Sequence, residues 1–233
     1  MSSNLARDTI LIIKLSIAKF FILFFYDKMN IGDSMITIMI LDIILIISNI
    51  IMYYTDQLVH IDKIVYNSIA ITDVLTPFYK LITSFSNTLQ LCVIVILTIL
   101  FLIKIKKKKE AINVATVFCF SAILMQILKW IFQRNRPDVN RLIEISGFSY
   151  PSGHSLMSFV FYGLLIYLIN KNYKGKYKKI IIAILASIIV LIGFSRIYLG
   201  VHYFTDVILG YSIALLILII NSIIIKKNEK KQI

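Results

Sequence analysis

The sequence predicts an all-α polytopic membrane helix bundle, with six transmembrane helices and an N-terminal helix at the interface. Three observations carry this expectation. Of 233 residues, 59% are hydrophobic and the mean hydropathy is +0.86, against roughly 45–50% apolar residues in soluble domains. The apolar residues gather into runs of about twenty, the length that crosses about 30 Å of hydrocarbon as a helix. Short basic blocks punctuate those runs, as they do in loops facing the cytoplasm. Helices are required because unsatisfied backbone groups are too costly in lipid, and the runs are too long for barrel strands.

Taken in order, the runs lie near residues 35–53, 87–103, 111–130, 154–170, 179–196 and 205–225. An earlier apolar stretch, Ile10 to Tyr26, is interrupted by Lys14 and Lys19 and has no small-residue cleavage site after it. It therefore reads as part of the mature protein rather than a signal peptide. Its lysines suit a helix lying in the interface with their amines among the headgroups; a tilted seventh span is the alternative. The chain thus divides into an N-terminal amphipathic segment (1–34), one transmembrane domain (35–225) and a basic tail (226–233), without internal repeat or linker.

The basic blocks orient the bundle. Lys104 and Lys106 to Lys109 separate the second and third runs, Lys171 to Lys179 the fourth and fifth, and Lys226 to Lys231 follow the sixth. With six spans these blocks share one side, which the positive-inside rule makes cytoplasmic, together with the N-terminus. The net charge of +13 is therefore a topology signal, not a nucleic-acid surface. Cys92 and Cys119 sit inside apolar runs and read as buried small hydrophobes, not as a disulfide framework.

Three polar clusters interrupt the outer ends of runs three to six: KWIFQRNRP from Lys129 to Pro137, Pro151-Ser152-Gly153-His154, and SRIYLGVHYFTD from Ser195 to Asp206. The lysine-derived topology brings all three to one face. Lys129, Arg136 and Arg196 supply cations, and arginine's planar fork suits phosphate oxygens. Ser152 and Gly153 open the fourth helix, whose free N–H groups and positive dipole end favour an anion. His202 and Asp206 are four apart on one helix face, so the carboxylate can fix one imidazole nitrogen and leave the other free. His154 supplies a second imidazole. Such a set can hold a phosphoryl group, attack it, and protonate a leaving oxygen. No carboxylates or histidines stand at metal-ligand spacing, so neither metal nor cofactor is expected.

The three clusters resemble the signature of the type 2 phosphatidic acid phosphatase (PAP2) superfamily, K-x6-R-P, P-S-G-H and S-R-x5-H-x3-D. Lys129, Arg136 and Pro137 match the first motif; Pro151 to His154 the second; Ser195, Arg196, His202 and Asp206 the third. The resemblance implies a membrane lipid phosphatase working through a phosphohistidine. His202 would be the nucleophile, Asp206 its orienting carboxylate, and His154 the acid and then the base. Lys129, Arg136, Ser152, Gly153 and Arg196 would bind phosphate. The stretch GFSYPSGHSLMSFVFYG is similar to bacterial phosphatases of the phosphatidylglycerophosphate phosphatase B type. That similarity implies undecaprenyl pyrophosphate, phosphatidylglycerophosphate or phosphatidic acid as substrate. It also implies a bacterial cytoplasmic membrane, and the lysine-derived topology puts the site on its extracytoplasmic side.

Two alternatives stand beside hydrolysis. One is phosphoryl transfer to an acceptor other than water. The other is a transporter or lipid-binding protein, whose best support is Asp42, seven residues before Asn49 on the first run. The preferred reading of Asp42 is inward packing against a polar partner. Lipid selectivity would come from the walls between spans and the outer loop 55–86, with Asp56, Asp62, Asp73 and Lys80 as candidates. The expected partners are a lipid substrate and the bilayer, and the oligomeric state is open.

Overall fold

The computed structural model describes residues 31–69, 71–138 and 141–230, which hold eight helices and no strand. The interfacial helix expected over 10–26 lies outside them. The helices are α1 (Ile31–Tyr54), α2 (Leu58–Asn67), α3 (Thr76–Ser84), α4 (Thr88–Lys104), α5 (Lys108–Phe132), α6 (Gly153–Asn172), α7 (Lys178–Tyr198) and α8 (Phe204–Lys230). Five of them, α1 and α5 to α8, are each long and apolar enough to span a bilayer. A sixth span is formed if α3 and α4, bent by 44° at their break, count as one. The protein is a multi-pass membrane protein, and each expected run falls on one of these spans.

Two helices were not foreseen. Residues 55–86, expected as an outer loop, hold α2 and α3, and the break after α3 is pinned rather than loose. Tyr162 donates to the Phe85 carbonyl (2.9 Å) and Ser86 Oγ to the His154 carbonyl (3.0 Å). Those bonds use polar groups that the interrupted helical ladder would otherwise leave bare in lipid. At the other end α8 continues to Lys230, past the expected end at 225. Its terminal lysines sit favourably at the negative end of the helix dipole.

The centre of the bundle is α6, which packs on α5, α7 and α8, while α8 also packs on α1. Because α6 is apolar around its whole circumference, it is buried rather than lipid-facing; Val160, Phe161 and Ile166 are fully enclosed. Packing, not water, drives helix association in lipid, so small residues matter where helices cross. A Cβ at Gly210 of α8 would stand 2.8 Å from the Ser152 carbonyl, so this glycine sets the approach of α8 to the start of α6. Leu97, Leu100, Ile123 and Ile131 face outward from α4 and α5. Cys119, expected to be buried, is exposed on that outward face of α5, where an apolar thiol meets lipid.

The basic blocks meet at one end of the bundle. Lys107 donates to Asn172, and Lys171 pairs with Glu229 at 2.7 Å. The chain reverses with each span, so the three polar clusters occupy the opposite end. Asp42 turns inward as expected and is 1% exposed, with the Ser212 hydroxyl as its polar neighbour. Asn49, on the same face, accepts from the Tyr150 hydroxyl.

Candidate active site

Helix ends build the site. α5 closes on Gln133 in a left-handed turn (φ 47°), which ends the helix and releases the chain toward Arg134 and Arg136. Ser152 caps α6, its Oγ accepting from the Ser155 N–H (3.5 Å) and hydroxyl (2.9 Å). At α8, Asp206 reaches back to the Tyr203 N–H (2.8 Å), the acidic half of a capping box. The same carboxylate therefore starts the helix and addresses the histidine four residues earlier.

Lys129, Arg136, Gly153, His154 and His202 line one cavity of about 520 Å³. It runs from these polar groups down between α4, α5 and α6, past Leu91, Met125 and Met157 to Phe118. Phe118 lies eleven residues from Lys129, about 16 Å along a helix. Ser152, Arg196 and Asp206 are fully buried and do not form its wall. All eight expected site residues thus gather at one end of the bundle, five on the cavity and three behind it.

His202 is held from both ring nitrogens. Its Nδ1 lies 3.3 Å from Asp206 Oδ2, and its Nε2 lies 3.1 Å from Arg136 Nη1. Because arginine only donates, Nε2 must be the acceptor and Nδ1 must carry the proton toward Asp206. The expected tautomer is therefore present, but the nitrogen expected to be free is covered by Arg136. Burial, then the charges of Arg196 and Arg136, hold the His202 pKa well below that of an ordinary histidine. The ring is therefore neutral at pH 7.

The cations divide unexpectedly. Arg136 donates to the carbonyls of Gly147 (2.9 Å), Val201 (2.8 Å), Ser146 and Phe148 (both 3.2 Å) besides His202. That uses all of its donors, so its expected phosphate-binding role requires exchanging some of these bonds. Ser152, also expected at the phosphate, has its hydroxyl engaged in the cap. Arg196 is the reverse case. Its Nη1 donates to Thr83 Oγ1 (2.5 Å), while Nε and Nη2 are buried without an acceptor among the described residues. Lys129 donates to the Phe148 carbonyl.

Sequence reasoning missed three groups. Asn87 Oδ1, in the α3–α4 break, stands 3.2 Å from His154 Nε2. Ser149 donates to Asp206 Oδ2. Arg134 binds Asp206 Oδ1 through Nη1 (2.7 Å) and Asp62 Oδ2 through Nη2 (2.7 Å). Arg134 lies inside the KWIFQRNRP cluster, so the cluster itself was the available signal. Asp62, a candidate for lipid selectivity, faces inward to this ion pair and is not on the cavity wall.

Residues 110–230 match the PAP2 superfamily. Over 114 residues the chain is 39% identical to phosphatidylglycerophosphatase B of Bacillus subtilis (strain 168), covering 48% of this chain and 56% of that relative's length. Its fold is similar to the crystal structure of a transmembrane PAP2-type phosphatidylglycerolphosphate phosphatase from Bacillus subtilis. The TM-score is 0.73 and the identity 27%, over 80% of this chain and 96% of the other. It is also similar to Aquifex aeolicus LpxE, with a TM-score of 0.56 and 27% identity over 70% and 93% of the two chains. The matched residues include all three polar clusters and more than half of the chain: the chain belongs to the PAP2 superfamily.

Proposed function

We propose that this protein is an integral-membrane lipid phosphatase that works through a phosphohistidine on His202. The observation that carries the reading is Arg196, a fully buried guanidinium with two nitrogens lacking acceptors among the described residues. Buried unpaired donors are costly, and a phosphate's equatorial oxygens would satisfy them. Lys129 and the free N–H groups at the start of α6 add positive potential on the cavity side.

In this reading the arriving phosphate draws donors of Arg136 away from His202 and exposes Nε2. The nitrogen attacks phosphorus as the bond to the lipid oxygen breaks, and His154 gives that oxygen its proton. His154 then takes a proton from water, whose oxygen displaces His202 and releases inorganic phosphate. Asp206 holds the Nδ1 proton throughout. The apolar extension of the cavity between α4, α5 and α6 suits a lipid tail, which favours lipid over soluble phosphate esters. The basic end faces the cytoplasm, so the site opens on the outer face of a bacterial cytoplasmic membrane.

Phosphate release from phosphatidic acid, phosphatidylglycerophosphate and undecaprenyl pyrophosphate by purified protein in detergent tests this. The expected result is release from at least one lipid, abolished in His202→Ala and unchanged in excess EDTA. Absence of release from all three by folded protein would overturn the phosphatase reading. Loss in EDTA, restored by magnesium, would overturn its independence of metal.

A further inference from the structure

Asp206 does not stand alone behind His202. Its Oδ2 receives Ser149, the Tyr203 N–H and His202 Nδ1, while its Oδ1 is taken by Arg134 at 2.7 Å. The other arm of that guanidinium binds Asp62 Oδ2, also at 2.7 Å. Asp62 belongs to α2, more than sixty residues before Arg134 in the chain and 4% exposed. Its two oxygens also accept from the Thr205 N–H (2.9 Å) and hydroxyl (2.8 Å) at the start of α8. Arg134 lies over the Tyr203 ring, 4.0 Å from its centroid, which fixes the guanidinium plane.

From this geometry we infer that Asp62 and Arg134 are positioning residues for the reaction, holding Asp206 in the orientation that fixes the proton on His202 Nδ1. The inference rests on the phosphohistidine reading of His202. A carboxylate with one bidentate neighbour and one histidine can rotate about its terminal torsion, which is broad and soft. Here each oxygen has its own partner. Arg134 takes Oδ1 and leaves Oδ2 for the imidazole, so rotation would break an ion pair. Asp62 keeps Arg134 from following the substrate phosphate, because it holds the guanidinium on the side away from the cavity. Arg134 and Asp62 are both absent from the cavity wall and, unlike Arg196, are spent on ion pairs with carboxylates, so neither is offered to substrate. Without Asp62, Arg134 would retain only one carboxylate and its charge would be free to turn toward the phosphate. Asp206 would then be held on Oδ2 alone, and His202 would lose its fixed tautomer once phosphate has drawn Arg136 from Nε2.

The test uses Asp62→Asn, with Arg134→Lys as the second variant because it keeps the buried charge and removes only the fork. The chain has three histidines, His60, His154 and His202, so 15N ring shifts of histidine-labelled protein in detergent can report each tautomer. In the wild type His202 should carry its proton on Nδ1. In either variant with saturating inorganic phosphate, which draws Arg136 from Nε2, that ring should show mixed tautomers, and kcat should fall about 10–100-fold, the scale of one lost hydrogen bond to a charged group. KM should stay within about twofold, since Lys129, Arg136 and Arg196, the cations assigned to phosphate, are untouched. A folded variant whose His202 keeps its tautomer, or whose loss falls on KM with kcat intact, would overturn the inference. If Asp62→Asn does not fold, Arg134→Lys decides by the same readings. If even the wild type releases no phosphate, the tautomer still decides this inference while the phosphatase reading fails.

Discussion

Replacing Arg196 with methionine separates the cost of burying unpaired donors from their use. The guanidinium is fully buried, with Nη1 on Thr83 and with Nε and Nη2 unpaired among the described residues. Each unsatisfied buried group costs about 1–3 kcal/mol, and the Thr83 bond returns about 1 kcal/mol. Methionine of similar length removes all of these at once, and such replacements of buried charge are commonly neutral or stabilising. Arg196→Met should therefore unfold at the same or a higher temperature than the wild type. Activity should move the other way. Two charge-assisted bonds to phosphate at about 1.5–3 kcal/mol each amount to about 3–6 kcal/mol, or about 10²–10⁴-fold in kcat/KM. Thermal unfolding in detergent with and without orthovanadate, beside phosphate-release kinetics, reads both effects. Vanadate should raise the wild-type midpoint and leave the variant unmoved. A variant that keeps kcat/KM within about fivefold, or that gains as much from vanadate as the wild type, would refute the assignment of Arg196 to phosphate.

Three further outcomes are expected. His202 is held neutral by burial and by Arg196 and Arg136, so the acid limb of kcat/KM should lie below pH 6.5; a limb above that pH would show a different nucleophile. The same depressed pKa makes a pH effect on stability: above about pH 6.5 folded and unfolded states are both neutral at this ring. Below it the unfolded state gains a proton first, so midpoints should drop as pH falls, and less so in His202→Gln. Gly210→Ala would drive a methyl against the Ser152 carbonyl. Such overpacking costs about 1–3 kcal/mol, seen as a lower midpoint together with weaker phosphate release; an unchanged midpoint would mean that the helices separate freely there.

The spans were legible because lipid enforces them: each of the six runs from residue 35 onward had to become a helix, and the bends and caps altered only its ends. Motif residues such as Lys129, His154 and His202 were legible through fixed spacing within short segments. What lay between the spans was not. α2 and α3 are short and only partly apolar, so composition offered no reason to fold 55–86, and their placement depends on long-range bonds such as those to His154 and Tyr162. Asp62 was visible as an acid in an outer segment, but its partners lie 72 residues away at Arg134 and 143 away at Thr205, beyond any local pattern. The engagement of Arg136 was hidden for a related reason. Four of its acceptors are backbone carbonyls, which no side-chain motif records.

The central claim is a covalent bond between phosphorus and His202, and rapid quenching of the protein during turnover of a 32P-labelled lipid phosphate addresses it most directly. The expected result is protein-bound label that is stable to alkali, labile to acid and mapped to the peptide containing His202, with none in His202→Ala. Labelled phosphate released at full rate with no label on the protein, or label on a different residue, would contradict it.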